Sequence, residues 1–144
     1  MQRLDSITLI IAGLGTACGE PALIRARAQI GALEITDAFA REPIIQASGA
    51  AYLTIHNTGT VADTLLMAQS PEAAGAVFHG QSMSHLEQLP IPPGGTVALA
   101  PGGTHLMLTD LARMPAVGDS LTLILDFARA GRLRFKVPVR PVTE

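Results

Sequence analysis

The chain has 144 residues and a net charge of −2; 48% of its residues are hydrophobic and only 15% are charged. That length fits one domain with a sizeable core. The absence of a basic excess, together with one Tyr, four Phe and no Trp, speaks against a surface that neutralises a polyanion or stacks bases. No acidic run or polar low-complexity tract marks a disordered segment.

The first twenty residues read as a targeting segment. Arg3 gives a positive start, Ile7 to Ala17 is an apolar run, and small residues lead to Cys18. This is the layout of a secretory signal peptide. The run is shorter than the about 20 apolar residues that span a bilayer. The other reading of the stretch is a buried first strand or helix. Cys18 is the single cysteine and stands where a lipoprotein signal places its modified residue, although Gly15 occupies a position that usually carries Leu. A lipid-anchored chain and a plainly secreted chain both fit. Beyond Cys18 there is no cysteine, so the folded part has no internal disulfide, thiolate metal site or cysteine nucleophile. It also has no blue-copper centre, which needs a Cys ligand.

Residues 22–29 read as a short helix or a linker. From Ile30 onward, short apolar or alternating segments recur at roughly ten-residue spacing: 32–40, 50–57, 64–69, 75–79, 83–88, 95–100, 105–109, 120–127 and 132–139. Turn signals separate them, among them Asn57-Thr58-Gly59, Pro92-Pro93-Gly94-Gly95, Pro101-Gly102-Gly103 and Ala130-Gly131. Such regular short strands predict an all-β sandwich or barrel of eight or nine strands over residues 30–140. Within 50–57, Tyr52, Thr54 and His56 share one face, and Leu53 and Ile55 the other.

The window from His79 to Met114 concentrates three of the four His (His79, His85, His105) and three Met (Met83, Met107, Met114). Met83-Ser84-His85 and His105-Leu106-Met107 each place an imidazole and a thioether two residues apart, on one face if the segment is a strand. If Gly80-Gln81-Ser82 forms a tight hairpin loop, His79 and Met83 become a cross-strand pair. Thioethers are soft and uncharged, and suit Cu(I); zinc prefers thiolate, imidazole or carboxylate. Two His and two Met without a carboxylate therefore favour Cu(I). Against this, a Met at an apolar strand position is usually core filler, and an isolated His is usually a surface or hydrogen-bonded residue.

The stretches Ala50 to Gly59, Pro92 to Leu108 and Gly118 to Leu123 resemble the PCuAC family of periplasmic copper(I) chaperones. The Pro101-Gly102-Gly103-Thr104-His105-Leu106-Met107 segment is the most specific part. The resemblance implies a cupredoxin-like Greek-key barrel that holds Cu(I) through two His and two Met. The family spacing is His, ten residues, Met, twenty-one residues, His, one residue, Met. Twenty-one residues separate Met83 from His105, and Met107 follows in place. At the front, three residues rather than ten separate His79 from Met83, so the fourth ligand is His79 or, as a substitute, His85. Met114 is a weaker candidate, and His56 lies outside the motif.

The resemblance further implies an exported, monomeric protein that delivers copper to a cuproenzyme, such as the CuA centre of cytochrome c oxidase, by ligand exchange and not by turnover. Neither paired carboxylates nor a Ser/His/Asp arrangement argues for an enzyme; Glu87, Asp110 and Asp119 read as solvated turn residues. Copper storage or detoxification shares the same site. A metal-free envelope module that kept the barrel and lost the site is the reading from a different class.

Overall fold

A computed structural model describes residues 25–43 and 48–142. The expected signal segment and Cys18 lie outside them. The described residues form eleven strands: β1 (Ala26–Ile30), β2 (Leu33–Arg41), β3 (Gly49–Asn57), β4 (Asp63–Gln69), β5 (Ala73–His79), β6 (His85–Leu86), β7 (Leu89–Ile91), β8 (Thr96–Leu99), β9 (His105–Leu111), β10 (Ser120–Phe127) and β11 (Gly131–Arg140). A short turn, Gln81–Met83, joins β5 to β6. The all-β expectation is therefore met.

The strands pair in the order β6-β5-β9-β3-β2-β11-β10-β4-β7, with β1 also on β2 and β8 also on β3. All pairings are antiparallel except β11 with β2, where Val139 faces Ala40 and Arg140 faces Arg41. The sheet curls until β4 and β5 approach each other, which gives a nearly closed, cupredoxin-like barrel. Period-two alternation fills it. Leu53 and Ile55 of β3, Leu106 and Leu108 of β9, and Leu123 and Leu125 of β10 are all buried in one core.

Two strands go beyond the sequence expectation, and one segment changes character. Residues 26–30 are a strand and not a helix or linker: Ala26, Ala28 and Ile30 pack against the core while Arg27 and Gln29 stay exposed. Leu89–Ile91 forms β7 at the sheet edge on β4 alone, a place where Pro90, lacking an N–H, is tolerated. Residues 83–88 hold only the two-residue β6, because the chain spends Gln81–Met83 in the turn.

In β2 the pairing with β3 shifts by one residue between Thr36 and Phe39. Asp37 is the bulged residue, with φ 53°. Leu33 and Ile35 face the core before the bulge, and Ala38 and Ala40 after it. Phe39 is thereby turned to the outer face, where its ring meets that of Tyr52 at 5.2 Å. Phe39 and Tyr52 are buried but lie outside the core cluster.

The β10–β11 hairpin is closed by Gly131, whose φ of 95° favours glycine. Its loop is tied to β4 by Asp63, which is buried. Oδ1 of Asp63 accepts N–H bonds from Thr64 (2.8 Å) and Arg129 (2.8 Å), and Oδ2 accepts one from Ala130 (2.9 Å). Each such donor left unmet in a buried site costs about 1–3 kcal/mol. Asp63→Ala should therefore lower stability by about 2–4 kcal/mol, read by denaturant unfolding, with Asp63→Asn intermediate because it keeps Oδ1 as an acceptor.

Candidate metal centre

Strands β5 and β9 are direct neighbours, and their register places His79 opposite His105 and Val77 opposite Met107. On β9, Leu106 and Leu108 point into the core, so His105 and Met107 share the outer face, half-buried. The predicted sharing of one face by His105 and Met107 thus holds. On β5 the same alternation buries Phe78 and turns His79 outward. The rings of His79 and His105 lie 5.6 Å apart and edge to face.

The other side of His79 differs from expectation. Its partner across the β5–β6 hairpin is His85, not Met83, and these two rings are 6.5 Å apart. The loop between them runs from Gly80 to Ser84 and not over three residues. It is closed by Gly80 N–H donating to Ser84 O (2.7 Å), and it contains Ser82 and Met83, both left-handed (φ 59° and 58°). Met83 stands at the exposed tip of this turn, 57% accessible. It is therefore not on a strand with His85, and their expected common face does not form.

These side chains belong to a longer row. Crossing β6, β5, β9, β3, β2 and β11 in order are His85, His79, His105, Tyr52, Phe39 and Arg140. Tyr52 lies 6.5 Å from His105, and the Arg140 guanidinium sits 4.3 Å over Phe39. Arg41 covers Tyr52 at 5.4 Å. Tyr52 and Phe39 wall one side of the imidazoles with apolar surface, while His85 and Met83 leave the other side open to water. Strand alternation places Tyr52 on this face, but its neighbour His105 depends on which strands pair, which local sequence does not encode.

Hydrogen bonding sets the donor atoms. The Nδ1–H of His105 donates to Gly103 O at 3.1 Å. A carbonyl can only accept, so Nδ1 carries a proton, and in the neutral ring Nε2 is then the nitrogen with the lone pair, the arrangement that orients ligating imidazoles. Nδ1 of His79 is buried without a hydrogen-bond partner, so the accessible nitrogen of that ring is Nε2. Two imidazoles that share an ion through nitrogens at about 2.0 Å hold their ring centres about 5–6 Å apart. The His79–His105 spacing matches that range.

The three imidazoles form a line and not a nest. Among the described residues, no group of three His, Cys, Asp or Glu is arranged around one point. An ion held at His79 and His105 would complete its shell from thioethers, with Met107 two residues along β9 on the same face, opposite Val77. His56 takes no part: its Nδ1 lies 2.8 Å from Thr96 Oγ1 on the β3–β8 edge. Met114 is exposed in the loop before Pro115.

The barrel and its outward His/Met face define a domain of PCuAC type. The copper-bound PCuAC domain from PmoF2 superposes with a TM-score of 0.74 at 25% identity, over 81% of this chain and 98% of that one. The apo PCuAC domain from PmoF1 gives 0.74 at 26% identity, over 81% and 99%. Cu(I)-loaded DR1885 from Deinococcus radiodurans gives 0.64 at 26%, over 82% and 83%. Residues 33–139 match the family described as "Putative lipoprotein LpqE-like", and the chain belongs to that family. A relative from Leifsonia xyli subsp. xyli (strain CTCB07), "Putative lipoprotein Lxx21020", is 27% identical over 97% of this chain and 90% of its own length.

Proposed function

We propose that this protein is an exported Cu(I)-binding chaperone and not an enzyme. The observation that carries this reading is the pairing of His79 with His105 across neighbouring strands, with Met107 on the same outer face. Uncharged imidazole and thioether donors match a soft monovalent ion. His79, His105 and Met107 hold the copper on the outer face, Met83 adds a fourth donor from the exposed loop tip, and His85 is able to substitute. The structurally similar PCuAC domain from PmoF2 carries bound copper, and DR1885 carries Cu(I); both support the same cargo here.

Delivery follows from the placement of the donors. Neutral ligands at an open face hold Cu(I) without a thiolate, and surrender it to a protein with stronger ligands. The recipient is a cuproenzyme, with the CuA centre of cytochrome c oxidase the family precedent. The lipoprotein character ascribed to the family and to the Leifsonia relative supports export, and anchoring through Cys18. Titration of the purified protein with Cu(I) under reductant, against a chromogenic Cu(I) chelator, should saturate at one equivalent. Failure to withdraw copper from the chelator would favour the metal-free envelope module.

A further inference from the structure

We infer that the site has two overlapping seats for one Cu(I) ion, both using Nε2 of His79: an inner seat with His105 and Met107, and an outer seat with His85. This rests on the copper reading above and adds the route by which the ion arrives and leaves.

The geometry carries it. His79 lies on the middle strand of three, with His105 opposite it on β9 and His85 opposite it on β6. The two neighbours therefore flank it on opposite sides and do not surround a common point. Nδ1 of His79 is buried, so the ring offers one nitrogen and serves one ion at a time. The inner pair is closer, 5.6 Å between rings against 6.5 Å. The inner pair is also the better held, because His105 is fixed by Gly103 and walled by Tyr52. The outer pair is looser and reaches water through His85, which is exposed. An ion in the inner seat therefore has an adjacent imidazole to step onto before it leaves the protein. In the outward step the Cu–N bond to His85 forms as the Cu–N bond to His105 and the Cu–S bond to Met107 break, the bond to His79 is kept, and the oxidation state does not change.

The full-length protein, loaded with one equivalent of Cu(I), provides the test through affinity and through the rate of release to a chromogenic chelator. His85→Ala should slow release about tenfold, since the stepping ligand is gone, and should weaken binding less than His105→Ala does, since the inner seat stays intact. His105→Ala should weaken binding by about 10–100-fold yet bind more tightly than the His85→Ala/His105→Ala double variant. Nitrogen-15 NMR of the histidine rings gives a reading without mutation, because Cu(I) is diamagnetic. His79 and His105 should shift fully on loading, and His85 should broaden or shift partially through exchange. Release from His85→Ala at the wild-type rate, or a His105→Ala variant no better than the double, overturns the two seats while leaving Cu(I) binding in place. A wild-type protein that takes up no Cu(I) overturns the copper reading itself, and the seats with it.

Discussion

Replacing His105 and Met107 together by alanine is expected to lower Cu(I) affinity by at least about 100-fold. Loss of a mere outer-sphere partner already costs about 10–100-fold at metal sites, and this variant removes two donors. The fold should survive, because both side chains leave the outer face of β9 while Leu106 and Leu108 stay in the core. Competition against a Cu(I) chelator measures the affinity, and circular dichroism checks that the barrel is intact. An unchanged affinity in a folded double variant would move the site elsewhere.

The complementary result comes from the residue between them. Leu106 is 1% exposed and packs into the core from the same strand. Leu106→Ala should cost about 2–5 kcal/mol through the cavity it leaves. For a domain of this size, that lowers the melting temperature on the order of 10 °C. Below the new transition, Cu(I) affinity should stay near the wild-type value, since the donors on the opposite face are kept. One strand would then yield two separable defects, loss of metal from its outer side and loss of stability from its inner side. A Leu106→Ala protein that melts normally would contradict the assignment of faces.

Much of this is legible in the order of residues alone. The alternation in β3 and β9 sends Leu53, Ile55 and Leu106 inward and Tyr52, His105 and Met107 outward, and it depends on nothing beyond period two. The all-β class follows from the regular turns. The partner of His79 is not legible. Whether a five-residue or a three-residue loop follows β5 hinges on Ser82 and Met83 adopting left-handed backbone, and neither residue type signals that as glycine would. Counting three residues to Met83 therefore points to the wrong cross-strand neighbour. Strand β1 is hidden for another reason. Alanine at its inward positions favours helix locally, and only the neighbouring β2 makes the extended form worthwhile. The row from His85 to Arg140 is a property of strand order, set by long-range pairing.

The bulge in β2 has a bearing on how this strand tolerates length changes. Because Asp37 is the residue without a counterpart on β3, a chain that lost it would still send Ala38 and Ala40 inward and Phe39 outward. Asp37 is thus a spare position: β2 can shorten by one there without rewriting either face. Deleting Phe39 instead would bring Ala40 opposite Tyr52, and deleting Ala40 would bring Arg41 opposite Ala51. Insertions and deletions along this strand should thus be absorbed at one point, and the aromatic wall beside the imidazoles keeps its place whichever length the strand adopts there.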